Sequence, residues 1–227
     1  MNDNTGPFAN RPKANPAGAA TSQAPDFESI YRAGLTGQGA IPWDDGKPNP
    51  LFLEWLDRSA HDVVRPGARI AVVGCGFGHD AKALLSRGYD VTAFDLSPTA
   101  IEHAKRLHSD WESCFSVADL FALPSRWKRR FDLVVEIYTI QSMPPETRRG
   151  SIGAIEALLH PHGALFLLCR ASDHPVSIDE GPPWALTADD VRDLATSINY
   201  EPVDGIELLV DEENPPRRRL RTVLRRA

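Results

Sequence analysis

The chain has 227 residues, 42% of them hydrophobic and 25% charged, with 25 basic against 31 acidic side chains and a formal net charge of −6. That balance belongs to a soluble globular chain, long enough for one domain of roughly 200 residues whose core needs no disulfide or metal staple. Negative charge argues against nucleic acid as a default partner. The longest unbroken apolar run, six residues from Ala164 to Cys169, is far short of the ~20 a membrane helix needs.

Residues 1–25 are rich in Ala, Asn, Pro and Gly and are expected to be a disordered tail. They lack the apolar stretch of a secretory signal. Phe27, Ile30 and Tyr31 suggest a short helix, and a turn-rich segment runs from Ile41 to Pro50. Leu51, Leu53, Trp55 and Leu56 open a helix expected to reach about Val64. Arg69–Val73 reads as a strand ending in glycines, and Asp80–Arg87 as a helix stopped by Gly88. Asp90–Asp95 is a second strand. Ser97 and Pro98 have the pattern of an N-cap and first helical residue, ahead of Ile101, Ala104, Leu107 and His108 on one face.

Cys114–Val117 is the third strand and Phe131–Tyr138 the fourth, nearly all apolar, as a strand covered on both faces requires. Ile152, Ile155, Leu158 and Leu159 mark a helix, and Gly163–Arg170 a fifth strand. Thr187 and Asp190 are spaced as a capping box at the head of a helix running to Ile198. Ile206–Val210 and Arg218–Leu224 close the chain as a hairpin. The alternation predicts an α/β fold: an open, mostly parallel sheet with helices on both faces and a C-terminal antiparallel hairpin. The three cysteines, Cys75, Cys114 and Cys169, have no paired spacing, which excludes a disulfide scaffold or a zinc site and points to the cytoplasm.

Ligands in such sheets bind at the carboxyl ends of the strands. After the first strand comes Gly74-Cys75-Gly76-Phe77-Gly78-His79-Asp80, a turn that lets a nucleotide-like ligand approach the backbone; a plain tight turn is the alternative. Asp95 lies 21 positions beyond Gly74, placed to accept from ribose hydroxyls. Asp119, followed by Leu120, can accept from an adenine amino group with the leucine against the ring; Asp119 can also be an ordinary turn residue. After the fourth strand, Glu136 and Tyr138 face the place where chemistry occurs, or are a strand-end contact and a core-edge aromatic. A carboxylate at Asp80 would repel a pyrophosphate and suit an ammonium group. S-adenosylmethionine has an ammonium, a ribose and an adenine but no phosphate.

On Val72 to Asp80, Asp95 and Asp119, the chain resembles class I S-adenosylmethionine-dependent methyltransferases. The resemblance implies a Rossmann-like sheet of seven strands. Ile41-Pro42-Trp43-Asp44-Asp45-Gly46, the Gly-His-Asp ending the glycine turn, and Gly181-Pro182-Pro183-Trp184 are similar to the thiopurine and thiol/halide methyltransferase group. This implies one domain over residues 26–227, with 26–65 covering the cofactor and Trp43 beside the sulfonium, where cation–π attraction favours it; Trp43 as a core plug is the alternative. The cofactor set is then Trp43, Gly74, Cys75, Gly76, Gly78, Asp80, Asp95, Leu96, Asp119, Leu120 and Glu136. Thiopurine enzymes of the group carry an Asp-Arg-Gly-like segment where this chain has Glu136-Ile137-Tyr138, so a thiol, sulfide or halide acceptor is favoured.

Tyr138, Glu136, Arg170 and Trp184 are the candidates on the acceptor side. Only Tyr138, Glu136 and His174 are placed to act as a base. A thiol is partly ionised near neutral pH and a halide needs no deprotonation, so neither metal nor strong base is required. The six arginines between Arg217 and Arg226 read as protection of an edge strand rather than a nucleic-acid patch. The expected partner is a small-molecule acceptor, with no membrane and no nucleic acid, and the expected state is a monomer, with a dimer left open. Alternatives are an oxygen or nitrogen acceptor on a natural product, a nicotinamide-dependent oxidoreductase, and a cofactor-binding regulator without turnover.

Overall fold

Five parallel strands run through the centre of the molecule in a computed structural model that describes residues 25–227. They are β1 (Arg69–Val73), β2 (Asp90–Asp95), β3 (Phe115–Val117), β4 (Phe131–Ile137) and β5 (Leu159–Arg170). Three shorter or later strands follow: β6 (Tyr200–Pro202), β7 (Glu207–Val210) and β8 (Arg218–Arg226). The order is β3-β2-β1-β4-β5-β8-β6, with β7 also on β8. All pairs out to β5 are parallel, and β8 is antiparallel to β5. The expected tail, save Pro25, lies outside the described residues.

The helices are α1 (Phe27–Leu35), α2 (Pro50–Arg58), α3 (Ala60–Val63), α4 (His79–Leu85), α5 (Pro98–Leu107), α6 (Arg148–Glu156) and α7 (Ala188–Ser197). Alternate residues of the strands feed two cores, because successive side chains leave opposite faces of a sheet. Ile70, Val72, Leu133, Val135, Phe166 and Leu168 pack with Phe52 and Trp55 of α2, Leu84 of α4 and Ile101 of α5. Ala71, Val73, Val134, Leu165, Leu167 and Cys169 pack with Ile152 and Ile155 of α6 and Val191 of α7. The strand order reverses between β1 and β4, which opens a crevice at their carboxyl ends.

Four expectations change. The sheet has eight strands, not seven. β6 and β7 lie end to end on the same edge of β8, and the segment 203–206 between them shifts the register by two residues. The long second helix is two: Ser59 takes φ −129° and separates α2 from α3. Leu158 and Leu159 fit the helical spacing of α6, yet α6 stops at Glu156 and Leu159 begins β5. Finally, β8 is an interior strand between β5 and β6/β7, so its arginines do not guard an edge. Arg219 is only 2% exposed.

Candidate active site

The loop from β1 into α4 turns on Gly74, Gly76 and Gly78, all at positive φ (58°, 52° and 81°). A side chain is excluded on space as well as on backbone angle. A Cβ on Gly74 would collide with the Thr139 hydroxyl, and one on Gly76 would lie 2.8 Å from the Tyr31 hydroxyl oxygen. Asp95, buried at the end of β2, faces this loop. Its Oδ2 accepts from Gly76 N at 2.9 Å and its Oδ1 from Ser97 N at 2.9 Å. Burial pushes its carboxyl above the usual range. Ser97 caps α5 as its pattern predicts, accepting from Ala100 N at 3.0 Å.

Asp80, in the first turn of α4, accepts from Asn49 N at 2.7 Å. Burial pushes its carboxyl up to about 6, and no ion pair to it is found among the described residues. Cys75 sits between these two acids. Burial, reinforced by Asp95, raises its thiol well above the ordinary value, so it remains a neutral filler of the turn.

A cover lies over this loop. Tyr31 of α1 packs on Phe77 with centroids 5.2 Å apart. Trp43 donates its indole N–H to the Tyr31 oxygen at 2.9 Å and stands edge-on to both Phe27 and Tyr31. Trp43 is 38% exposed, a wall of the crevice rather than a core plug. Glu28 fastens α1 to the head of α5 by accepting from Ser97 Oγ (2.6 Å), Thr99 Oγ1 (2.6 Å) and Thr99 N (3.2 Å). These bonds hold its carboxyl down at about 2. His79 reaches Asp44 of the same cover at 3.2 Å rather than a free site.

On the far side, Leu96 stands exposed just after β2, an apolar face open to a ring. Asp119 is exposed after β3, and one oxygen caps the following turn by accepting from Phe121 N at 2.9 Å. Leu120 is buried with Phe94 and Trp127 in the core. Two enclosed carboxylates, a glycine cradle with no arginine or lysine side chain bonded to its loop among the described residues, and an exposed leucine after β2 suit an ammonium, a ribose and an adenine. The donor set thus fits S-adenosylmethionine.

The other end of the crevice is built by the ends of β4, β5 and β8. Tyr138 follows β4 at φ 65°, a strained left-handed position for a bulky residue. Its oxygen accepts from Asn49 Nδ2 at 3.1 Å, and the Arg219 guanidinium carbon lies 4.9 Å from its ring centroid. Burial pushes the phenol up to about 12, so it stays protonated. Arg219 Nη2 pairs with Asp211 Oδ2 and Glu213 Oε1, each at 2.5 Å. Its Nε and Nη1 are buried without a partner among the described residues. Arg170, half-buried, is opposite Arg219 in the register; its backbone N donates to Gln141 Oε1 at 2.6 Å.

Two candidates stand elsewhere. Glu136 is fully buried on the α6/α7 side of the sheet, since it alternates with Val135 and follows Val134 in face. Its Oε1 accepts from Thr139 N (2.6 Å) and Ile140 N (2.8 Å), while Oε2 has no partner. It shapes the turn that presents Tyr138, opposite Val73 in the register. Trp184 is fully buried, its indole N–H donating to Ile178 O at 2.8 Å and its carbonyl accepting from Arg148 at 2.8 Å. It supports the 178–184 loop from beneath instead of walling an opening. His174 lies exposed on the loop after β5.

Asn49, Tyr31, Glu28 and Arg219 are site residues that the sequence reading missed. Asn49-Pro50 carried a usable signal, an N-cap followed by proline at the first helical position. The burial of Arg219 had none, because it depends on β7 closing over β8.

Comparison with known proteins gives the family and the fold. Residues 36–222 match the family Thiopurine S-methyltransferase (TPMT). The chain is 30% identical over 194 residues to Thiocyanate methyltransferase 1 of Brassica oleracea, covering 83% of this chain and 76% of that one. It is 28% identical over 175 residues to Probable thiol methyltransferase 2 of Arabidopsis thaliana, covering 74% and 73%. Among solved structures, the fold is similar to 1,6-didemethyltoxoflavin-N1-methyltransferase of Burkholderia thailandensis with bound 1,6-didemethyltoxoflavin and S-adenosylhomocysteine. There the TM-score is 0.71 at 22% identity, over 96% of this chain and 93% of the other.

Proposed function

The chain belongs to the thiopurine S-methyltransferase family and is an S-adenosylmethionine-dependent methyltransferase, and from that premise we propose that its acceptor is a small thiol, sulfide-like anion or halide. One observation carries the choice: Tyr138 and Arg219 at the acceptor end of the crevice are a protonated phenol and a guanidinium, and the acids beside them, Asp211 and Glu213, are paired with Arg219. Glu136 is enclosed behind the turn and His174 is exposed on its loop. Oxygen and nitrogen acceptors more often need a base, whereas thiolates and halides arrive ready to react. The thiocyanate and thiol methyltransferases among the relatives point the same way.

S-adenosylmethionine, when bound, supplies a sulfonium methyl that a nucleophile displaces in line. In this reading Asp95 accepts from the ribose, Asp80 balances the ammonium, and Leu96 lies against the adenine, with Asp119 at its edge. The backbone of Gly74, Cys75, Gly76 and Gly78 forms the floor, and Trp43 with Tyr31 closes the site against water. Tyr138, with Arg219 and Arg170 nearby, holds the acceptor in place, so that proximity and alignment supply the rate. Leu120, Trp184 and Glu136 support the walls. The lack of paired cysteine spacing supports a cytoplasmic reaction, on a monomer in this reading, with a dimer left open.

The test is to incubate purified protein with methyl-labelled S-adenosylmethionine and, separately, benzenethiol, hydrosulfide, iodide, a thiopurine, a phenol and an amine. Label on the thiol, hydrosulfide or iodide is expected. Label only on the phenol or the amine overturns the acceptor class, and cofactor binding without label on any of them favours the regulator.

A further inference from the structure

Asn49 has four polar groups that serve three parts of the fold, its carbonyl accepting from Leu53 N of α2 at 2.9 Å. Its side-chain Oδ1 caps α2, accepting from Leu51 N at 3.0 Å and Phe52 N at 3.3 Å. Its backbone N donates to Asp80 on the cofactor side. Its Nδ2 lies 3.1 Å from the Tyr138 oxygen on the acceptor side. The cap decides which way the amide faces. A flipped amide would set NH2 against two backbone N–H groups, so the oxygen must face the helix and the nitrogen must face Tyr138. An amide nitrogen only donates. The Tyr138 oxygen is therefore an acceptor toward Asn49, and its own proton has to point elsewhere. No other acceptor for that proton is found among the described residues, so it is directed into the crevice.

We propose that Asn49 is a positioning residue that turns the Tyr138 O–H toward the methyl acceptor, so that the site takes its acceptor as an anion. This rests on the methyltransferase reading above and deepens it. A thiolate or halide accepts that hydrogen bond, whereas a neutral thiol has to turn its own S–H away. The groups facing Tyr138 are Asn49 from the head of α2, Arg219 from β8, and Asp211 and Glu213 from the turn between β7 and β8. The acids are tied to Arg219 Nη2, so the phenol proton is free to meet an anion alongside the Nε and Nη1 of Arg219, unpartnered among the described residues.

The substitution Asn49→Asp tests the direction of the proton. Aspartate caps a helix as well as asparagine does, so α2 is retained. Its second oxygen accepts from Tyr138 and draws the proton out of the crevice. Benzenethiol is titrated in complex with the protein and S-adenosylhomocysteine, and the thiolate absorbance is followed for wild type, Asn49→Asp, Tyr138→Phe and the double variant. In wild type the bound thiol is expected to ionise about one pH unit or more below the free thiol, the scale of a hydrogen bond to a charged partner. Asn49→Asp and Tyr138→Phe should each abolish the shift, lowering thiolate affinity about tenfold, and the double variant should be no worse than Tyr138→Phe alone. Asn49→Asp with the shift intact overturns the proposal. So does a double variant that loses a second factor of the same size, since that loss would come from the added charge. If wild type methylates the thiol but these variants misbehave, only the role of Asn49 fails; if wild type neither binds nor methylates it, the acceptor reading falls too.

Discussion

Replacing Glu136 by glutamine should shift stability relative to wild type in the variant's favour by an amount that grows with pH. The carboxyl is enclosed, with Oε1 accepting two backbone N–H groups and Oε2 accepting none. Burial lifts it from 4.5 to about 7. A carboxylate raised in this way is penalised by folding only when it is charged. Below its unfolded pKa both states are protonated and the penalty is absent; it grows up to about pH 7 and is constant above. A shift of that size corresponds to about 3 kcal/mol at full ionisation, of which about 2 kcal/mol develops between about pH 5.5 and pH 8. A glutamine side chain there would accept the same two N–H bonds without ever ionising. Its amide nitrogen, in the place of Oε2, carries a cost of about 1–3 kcal/mol, but this is the same at every pH and cancels from the comparison. Urea unfolding of wild type and Glu136→Gln across that range should therefore show the variant gaining about 2 kcal/mol relative to wild type. The relative melting temperature should rise by about 4–8 °C over the same range. A difference that stays flat with pH, or falls as pH rises, refutes the reasoning and means that Oε2 has a partner in solution.

Affinity for S-adenosylhomocysteine should be full above about pH 6 and weaken as pH falls below it, because Asp80 titrates there in the free protein. Calorimetry should find Asp80→Asn weaker by about tenfold at neutral pH and insensitive to Asp80's titration range. Arg219→Met leaves the largely buried Asp211 without its cation, while Glu213 keeps Arg217 at 2.9 Å, and chemical denaturation should register a loss of about 3–5 kcal/mol. Tyr31→Phe removes the acceptor of the Trp43 indole N–H. Since Trp43 is partly exposed, water can replace that partner, and product binding should weaken by no more than about fivefold.

Much of the layout could be read from local chemistry. The Ser97-Pro98 cap, the Thr187/Asp190 box and the apolar run of β4 depend on neighbours in sequence, and each holds in the structure. The glycine turn and Asp95 also meet as read, since a β-α-β unit brings them together by itself. The misreadings depend on distant partners. Tyr200–Pro202 has three residues and a proline, and is a strand only because it pairs with residues 224–226 of β8. Leu158 and Leu159 continue a helical spacing, but Phe131 claims Leu159 as a strand neighbour. Alternating arginines look like a wet edge until β7 and its acids, together with Glu54 of α2, close around them. Glu136 and Tyr138 are two residues apart on an apolar strand and would share a face if the strand continued. The left-handed turn at Tyr138 separates them.

The fastening of α1 by Glu28 has a kinetic consequence. With its carboxyl held at about 2, the fastening stays charged through neutral and mildly acidic pH, so mild acidity does not release it. Tyr31 and Trp43 lie over the glycine loop on the same cover, so a nucleoside seated on that loop lies beneath α1. The acceptor meets the protein at a different doorway, formed by Asn49, Tyr138 and the turn between β7 and β8. If the spent cofactor can leave only once α1 lifts, the methylated product departs first. Turnover then has a ceiling set by a helix coming undone from its neighbour, whichever acceptor is offered.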